Sequence, residues 1–400
     1  GYANNYGKEM LYFIPEWDDR VDPGYDFKAD THTKDRNRYL NDNYAHEIFD
    51  TPSYDGILVS KTAVENSQKK KKLVKEKGIH RFLRYNENKP IMGDCGAYSY
   101  KDEEDPPYET EEILEYYEQY GFDYGVSIDH LIVGNYAKDK AERERRYKLT
   151  LRNSKEFLEK YKKGDYTFTP IGIAQGWDRH SYRGAVKRLI EMGYDYIALG
   201  GLVGTQDKQI KKILKRIAPV IPDYLKIHLF GVSRLRSIKT FRKLGITSFD
   251  SASYLRRAFQ DSDKNYFAIN GESYAAIRIP QSDGTKIKKL IEKGYAKKEE
   301  FEKAEKEAIN LLRKYDKGEV NLEETLEAIL HYEKLMGNGM EKEEKYRRVL
   351  KDMPWKECNC KICDRIGVEV IIFRGNNRNR RRGFHNTYVF YNSFQKLLDK

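Results

Sequence analysis

Three cysteines within six residues, and one histidine further along, carry the ligand atoms of a metal site. Cys358, Cys360 and Cys363 form a C-x-C-x-x-C run, and His385 follows after a spacer of 21 residues. Three thiolates and one imidazole can hold Zn²⁺ tetrahedrally, which leaves no coordination position for water or substrate. We therefore predict a structural zinc site that joins the cysteines to the segment around His385. The alternative is a chance cluster of reduced cysteines.

Three aspartates lie where short apolar segments end, namely Asp94, Asp129 and Asp250. A single aspartate in such a place is often a helix N-cap, but burying three carboxylates together without a substrate, proton or cation is costly. One carboxylate can attack the anomeric carbon of a sugar and displace its base, while a second carboxylate handles the proton. A third can accept hydrogen bonds from N1–H and the exocyclic amine of guanine. The set favours an exchange reaction at a glycosidic carbon.

Other residues at the same segment ends suit the recognition of a flat heterocycle. An amide side chain and a glycine backbone N–H can meet a carbonyl such as O6, and two aromatic rings can sandwich the base. Each glycine is also a common turn residue, and each ring is a candidate for the core. The predicted substrate-binding residues are Asp129, Gln175, Gly176, Gly200, Gly201, Leu202, Tyr98 and Phe230.

Eight apolar, β-branched segments predict strands, and most of them are separated by helical patterns. The predicted strands are Leu11–Ile14, Tyr54–Ser60, Pro90–Asp94, Tyr124–Asp129, Thr169–Gln175, Tyr196–Leu202, Lys226–Val232 and Thr247–Ser253. This alternation predicts an α/β fold, a (β/α)₈ TIM barrel, whose active site collects at the C-terminal ends of the strands. A doubly wound open sheet is the alternative, although no G-x-G-x-x-G follows an early strand.

The chain divides by composition into three predicted segments. Residues 1–280 are expected to form the catalytic barrel, with a polar N-terminal insertion over Asp18–Pro52. Residues 281–350 are rich in Lys and Glu at helical spacing and predict exposed helices. Residues 351–400 are expected to form a zinc-binding subdomain packed on the barrel.

The net charge of +11 indicates a polyanionic partner. Five arginines between Arg374 and Arg382 are interleaved with glycine and asparagine and predict an exposed loop that zinc would hold beside the barrel mouth. Residues 69–72 are lysines on a predicted helix, for which a solvated face is an equal interpretation. The predicted nucleic-acid-binding residues are Arg374, Arg378, Arg380, Arg381, Arg382, Arg256 and Arg257.

The composition, 39% hydrophobic, indicates a globular protein. No apolar run approaches the length of a membrane-spanning helix, and the N-terminus lacks the apolar core of a signal peptide. Because the thiols are gathered in a metal cluster, we expect a reducing, cytoplasmic setting.

These motifs together resemble the tRNA-guanine transglycosylase superfamily, which has a (β/α)₈ barrel with an inserted C-x-C-x-x-C…His zinc site. The resemblance implies that Asp250, in S-F-D-S, is the covalent nucleophile on C1′ and that Asp94, in G-D-C-G-A-Y, is the general acid and base. It also implies that Asp129 reads the Watson–Crick edge, that Gln175 and Gly201 meet O6, and that Tyr98 and Phe230 stack on the base. Cys95 replaces a serine of the family motif and is expected to line the pocket.

Two regions depart from the enzymes that act on tRNA. Residues 251–259 and 274–280 replace a P-T-R-like segment, and residues 13–23 and 43–49 are also unlike those enzymes. Both features resemble the DNA-modifying branch, the DpdA-type DNA-guanine transglycosylases, and imply replacement of guanine in DNA by a 7-deazaguanine such as 7-cyano-7-deazaguanine. A tRNA-guanine transglycosylase and an inactive, zinc-stabilised nucleic-acid-binding barrel are the alternatives. The inserted deazaguanine, the need for an accessory ATPase and the oligomeric state stay open.

Overall fold

A closed barrel of eight parallel strands organises the computed structural model, which describes residues 9–231 and 234–400. Strand β1 pairs with both β2 and β8, so the sheet closes on itself. The strands are β1 Leu11–Pro15, β2 Gly56–Ser60, β3 Ile91–Asp94, β4 Tyr124–Val126, β5 Thr169–Ala174, β6 Tyr196–Leu199, β7 Lys226–Leu229 and β8 Ser248–Asp250. The predicted eight strands and the predicted (β/α)₈ barrel are confirmed.

The chain forms two units, each assembled from separated segments. Unit 1 comprises the chain up to Asp18, Tyr54–Ala252 and Ser393–Lys400, and unit 2 comprises Asp19–Ser53 and Ser253–Asn392. The predicted 1–280 segment therefore contributes to both units, since the Asp18–Pro52 insertion and residues 253–280 fall almost wholly in unit 2.

Unit 1 holds the barrel and the helices that follow its strands. With helices numbered along the whole chain, these are α3 Lys61–Glu65, α4 Gln68–Lys77, α5 Ile79–Leu83, α6 Thr110–Tyr120, α7 Asn135–Lys138, α8 Lys140–Lys163, α9 Arg179–Met192, α10 Asp207–Ile217 and α11 Leu235–Lys243. Short 3₁₀ helices cover Ala97–Tyr100 and Ala218–Val220.

Side chains alternate between the inside of the barrel and the helix layer, so strands buried on both faces read as continuous apolar runs. Phe13, Met92 and Ile171 belong to the barrel core. Gly93 faces the helices instead, and a Cβ at this position would lie 2.7 Å from the ring of Tyr117 on α6. The same alternation turns the last residue of β3, Asp94, back toward the barrel interior.

Unit 2 is mainly helical. Its helices are α1 Arg38–Asn41, α2 Ala45–Ile48, α12 Ser253–Gln260, α13 Thr285–Glu292, α14 Lys298–Asp316, α15 Leu322–Leu335, α16 Glu343–Asp352, α17 Pro354–Glu357, α18 Lys361–Ile366 and α19 Gly375–Leu398, the last of which continues into unit 1. A 3₁₀ helix covers Gly367–Ile371, and short strands pair as β9 Tyr266–Phe267 with β10 Ser273–Tyr274 and as β11 Ile277–Arg278 with β12 Ile372–Phe373. Across the described ranges, no helix has both the length and the apolar character needed to cross a bilayer.

Candidate active site and metal centre

Asp250, the last residue of β8, is buried and held by β7. Its Oδ2 lies 2.9 Å from His228 Nε2, and Gly231 N donates to Oδ1 at 3.3 Å. His228 Nδ1 lies 2.8 Å from Ser248 Oγ, which also contacts the Tyr196 hydroxyl. A neutral imidazole with its hydrogen on Nε2 satisfies every group in this buried chain. One carboxylate oxygen is thus held firmly, while the other has only one long hydrogen bond.

His228 is a site residue that the sequence reasoning missed. It lies opposite Ser248 in the register of β7 and β8 and alternates with Leu229, which faces the helix layer. The period-2 pattern that placed Phe230 at the mouth puts His228 on the same face, one step deeper. The alternation of side chains along β7 could therefore have identified His228 from the sequence.

Asp94 ends β3 opposite Ser60 of β2. Gly96 N donates to its Oδ1 at 2.8 Å. Part of the residue is exposed, but protein atoms crowd the carboxyl group. Burial, followed by the nearby charge of Asp250, raises the pKa of Asp94 to about 6. A carboxyl group with this pKa can exchange a proton near neutral pH.

Asp129 and Gln175 form a buried pair beside Asp94. Gln175 Nε2 donates to Asp129 Oδ2 at 2.7 Å, and Tyr100 donates to the Asp129 carbonyl at 2.7 Å. Burial is the main cause that raises the pKa of Asp129 to about 7, and the charge of Asp94 adds to it. Among the described residues, Gln175 Oε1 has no hydrogen-bond partner. The pair therefore offers hydrogen-bonding groups that a base edge can use.

Glycines shape the wall beside Gln175. A Cβ at Gly200 would lie 2.5 Å from Gln175 Nε2, and one at Gly201 would lie 2.6 Å from Gln175 Oε1. Gly201 also has φ +77°, a left-handed conformation that other residues rarely adopt. Gly176, Gly201 and Leu202 line a cavity of about 730 Å³. The structure thus brings these predicted substrate-binding residues together around one amide.

The two predicted stacking rings and Cys95 occupy different surroundings. Phe230 is half-buried with its ring 4.7 Å from that of His228, whereas Tyr98 is 75% exposed on the 3₁₀ helix. The prediction that Cys95 lines the pocket is wrong, because its Sγ lies 3.5 Å from the Tyr117 hydroxyl and faces the helix layer. Burial raises the pKa of the Cys95 thiol well above its usual value.

The Cys₃His cluster has the dimensions of a tetrahedral metal site. His385 Nδ1 lies 3.6, 3.4 and 3.3 Å from the sulfurs of Cys358, Cys360 and Cys363. Bonds of about 2.3 Å to sulfur and about 2.0 Å to nitrogen give a sulfur–nitrogen separation of about 3.5 Å in a tetrahedron. All four ligand residues are buried. The donor set therefore fits a zinc-type ion.

Unit 2 also supplies the groups that orient these ligands. His385 Nε2 lies 2.6 Å from the Phe267 carbonyl, which leaves Nδ1 for the metal. The ring of Tyr266 stacks on His385 at 4.2 Å, and its hydroxyl lies 3.2 Å from Cys363 Sγ.

The prediction of an exposed arginine loop is wrong. Residues 375–398 form the single helix α19, and Arg374, Arg378, Arg381 and Arg382 are buried. Arg374 and Arg378 pair with Asp30, and Arg374 also pairs with Glu305 at 2.9 Å. These guanidinium groups are occupied within unit 2.

The remaining arginines of the predicted interface have different partners. Arg381 donates to the Asp22 carbonyl at 2.7 Å, and Arg382 donates to the Ile372 carbonyl at 3.1 Å. Arg380 is partly exposed and donates to the Arg20 carbonyl at 3.2 Å. On α12, Arg256 is exposed, and Arg257 lies 5.3 Å from the ring centroid of Phe267. A role in binding nucleic acid stays a prediction for Arg256, Arg257 and Arg380.

The barrel rim brings together the carboxyl groups of Asp94, Asp129 and Asp250 with the amide of Gln175, and the comparisons with known proteins identify a pentosyltransferase. The family model described as queuine tRNA-ribosyltransferase matches residues 45–397, and the chain belongs to this guanine transglycosylase family.

Relatives of two kinds are similar to the chain. A DNA-guanine transglycosylase of Salmonella montevideo is 40% identical over 98% of each chain. A tRNA-guanine(15) transglycosylase of Nanoarchaeum equitans (strain Kin4-M) is 31% identical over 46% of this chain and 44% of its own. A queuine tRNA-ribosyltransferase of Solidesulfovibrio magneticus is 27% identical over 45% of this chain and 53% of its own.

Proposed function

We propose that the chain is a DNA-guanine transglycosylase, which exchanges guanine in DNA for a 7-deazaguanine such as 7-cyano-7-deazaguanine. The observation that carries the exchange chemistry is Asp250, buried and hydrogen-bonded to His228, on the same barrel rim as Asp94. DNA is favoured over tRNA because the DNA-guanine transglycosylase matches 98% of this chain, whereas the two tRNA-modifying relatives above match less than half of it.

In the first displacement, Asp250 Oδ1 attacks C1′ of the deoxyguanosine. The C1′–N9 bond breaks, its electron pair leaves with guanine, and Asp94 in its acid form gives the base a proton. Oδ1 is the attacking atom because the other oxygen, Oδ2, is held by His228 Nε2 at 2.9 Å. The product is an ester between Asp250 and C1′.

In the second displacement, the incoming 7-deazaguanine replaces guanine. Asp94, now a carboxylate, removes the proton from N9, and N9 attacks C1′ from the face that guanine left. The ester bond breaks, and its electron pair returns to Asp250, whose carboxylate again accepts from His228. Two inversions give overall retention at C1′.

Base recognition falls to Asp129, Gln175 and the glycine wall. Asp129 accepts from N1–H and the exocyclic amine, while Gln175 and Gly201 meet O6, with Tyr98 and Phe230 stacking on the ring. Because these groups lie inside a barrel rim, the target guanine must leave the DNA stack, at a cost of a few kcal/mol.

The metal in the Cys₃His centre is proposed to be Zn²⁺ with a structural role. Four protein ligands leave no position for substrate, so the ion supplies folding energy to unit 2 and no chemistry at C1′. Chelation is expected to lower the melting temperature of unit 2 before it lowers the exchange rate. We also propose a cytoplasmic location, which the free state of the four cysteines supports.

The test is incubation of the purified chain with a labelled 7-deazaguanine base and either duplex DNA or tRNA. We expect the label in DNA, together with release of one guanine for each base inserted. Label found only in tRNA would favour the tRNA-guanine transglycosylase alternative. DNA binding without label in either acid would favour the inactive barrel.

A further inference from the structure

A second concentration of charge lies on three consecutive helices of unit 1. Residues 178–243 contain 15 Lys and Arg against 5 Asp and Glu. Helices α9, α10 and α11 lie side by side in this segment. Because Arg378, Arg381 and Arg382 of α19 are buried and occupied inside unit 2, this segment becomes the basic surface that needs an explanation.

The charges occupy the outer faces of these helices. On α10, Ile210, Leu214 and Ile217 are buried against the barrel, while Lys208 and Lys215 are exposed. The exposed basic side chains on all three helices are Arg179, Lys187, Arg188, Lys208, Lys212, Lys215, Arg216, Arg236, Lys239 and Lys243. We call this the α9–α11 surface.

The basic side chains of the α9–α11 surface form no ion pairs with carboxylates among the described residues. Within the part of the chain that the structure describes, none of its ten basic side chains lies within 4 Å of a carboxylate. Helix α8 shows the contrast, since its Arg145 and Arg146 both pair with Glu142. Of the five acids in this segment, Asp178 caps α9 and Asp207 accepts from Ser237, and the other three, Glu191, Asp195 and Asp223, are exposed. An ordinary solvated surface mixes both signs of charge.

A cavity connects this surface to the candidate base site. Gly176, Gly201 and Leu202 line the cavity on one side, and Arg179 and Lys212 line it on the other. Helices that follow barrel strands begin at the active-site rim. A strand that leaves the base site along this cavity therefore meets basic side chains at once.

We propose that the α9–α11 surface binds the phosphate backbone of duplex DNA that flanks the guanosine being exchanged. This inference rests on the proposed function, which supplies DNA as the partner. Three helices packed about 10 Å apart span about 20–30 Å, which is the length of roughly 6–9 base pairs. Phosphate contacts on this scale make binding salt-dependent and insensitive to sequence.

The test compares two triple variants that remove equal charge. Lys208→Ala/Lys212→Ala/Lys215→Ala removes three exposed charges of α10, and Lys69→Ala/Lys72→Ala/Lys75→Ala removes three exposed charges of the lysine-rich helix α4, whose residues do not line the cavity. Each is titrated with a fluorescent 30-base-pair duplex between 50 and 300 mM salt, after its melting temperature confirms folding. Each lost phosphate contact should reduce the slope of log K against log salt by about 0.9.

For the α10 variant we expect a slope smaller by about 2–3, roughly 10- to 100-fold weaker binding at low salt and a higher KM for DNA. The α4 variant should keep the wild-type slope and affinity. Wild-type labelling of DNA together with an unchanged α10 variant, or equal losses in both variants, overturns the surface and leaves the proposed function standing. A wild-type chain that labels no DNA overturns the proposed function, and the surface proposal with it.

Discussion

Two clusters of buried charge, one in each unit, differ in whether they have partners of opposite charge. In unit 1, Asp94, Asp129 and Asp250 converge on the barrel rim, and across the described ranges no Lys or Arg lies within 4 Å of their carboxylates. In unit 2, Arg374 and Arg378 are equally enclosed, but both contact Asp30. The first cluster therefore has no Lys or Arg partner among the described residues, whereas both arginines of the second cluster have a carboxylate partner.

The pKa shifts record the difference. Burial raises the pKa of Asp129 to about 7. Burial also acts on Asp30, but the Arg378 and Arg374 guanidinium groups hold the pKa of that carboxyl below its usual value. Buried charges that are paired with each other stabilise the fold. Buried charges without a partner have shifted pKa values and can interact with a substrate instead. The predictions below test this division from the largest expected effect to the smallest.

Asp250→Ala should reduce base exchange at least about 10⁴-fold, because it removes the carboxylate proposed to form the ester with C1′. DNA affinity should fall far less. Denaturing gels of the wild type with DNA, quenched during turnover, should show a covalent adduct that the variant lacks. An adduct in the variant would show that another residue is the nucleophile.

Asp94→Asn should lower kcat about 10²–10⁴-fold, since the proton relay is lost while the shape is kept. In the proposed mechanism, the first displacement needs Asp94 in its acid form, and the pKa of Asp94 is raised to about 6. The rate of guanine release should therefore fall as pH rises through about 6. A pH profile of guanine release, measured under single-turnover conditions for both proteins, checks the loss of rate and its pH dependence. The same decrease above pH 6 in the Asp94→Asn variant would contradict this role of Asp94.

Arg378→Met should destabilise the protein by about 3–5 kcal/mol, because Asp30 would lose one of its two buried partners. The matched control is Arg380→Met on the same helix, whose side chain is partly exposed and bonds one carbonyl. It should cost less than about 1 kcal/mol. Urea unfolding of both variants decides; equal losses would mean that the ion pairs contribute nothing specific.

Asp129→Asn should change how stability depends on pH. Because the folded pKa of Asp129 is raised from 3.8 to about 7, this group stabilises the fold below about pH 4 and loses that contribution as pH rises through 7. The free energy of unfolding of the asparagine variant, relative to that of the wild type, should therefore rise by roughly 1–3 kcal/mol between pH 4 and pH 8. Parallel stability curves from urea unfolding would contradict this.

His228→Phe should reduce kcat about 10- to 100-fold, since it removes one hydrogen bond to a charged carboxylate. His228→Gln, which keeps an N–H donor, should recover part of the loss. The matched control is His80→Phe, because His80 Nε2 also lies 2.7 Å from a carboxylate, Asp123, but at the residue that precedes β4. The control should lower the melting temperature and leave kcat unchanged.

Much of the barrel could be predicted because parallel strands are buried on both faces and read as continuous apolar runs. The apolar spacing also predicts a helix over Asp207–Ile217, and α10 begins and ends at these residues. The predicted ends of β4, β6, β7 and β8 run three residues too far. At these ends the chain leaves the sheet, and Asp129, Gly201 and Phe230 lie just beyond the strands. The apolar pattern continues past the last strand residue there, so it does not mark where the strand ends.

The error over the arginines has one physical source, which is that charge was taken to mean exposure. Arg374, Arg378, Arg381 and Arg382 follow the spacing of one helix face, and His385 continues it. That spacing is compatible with a buried helix face if carboxylates are available to pair with the arginines. Asp30 and Glu305 provide these carboxylates, but they lie too far away in sequence to be recognised as partners. Pairings over such separations are set by tertiary structure.

The last segment of unit 1 has a consequence for the order of folding during synthesis. Phe394 packs edge-to-face on Phe249 of β8 at 5.3 Å, and Arg242 donates to the Leu398 carbonyl at 3.4 Å. A ribosome makes Phe394 only after all of unit 2. Until Phe394 is synthesised, the outer face of β8 is therefore not covered by this ring. A nascent chain halted within unit 2 is expected to depend on chaperones.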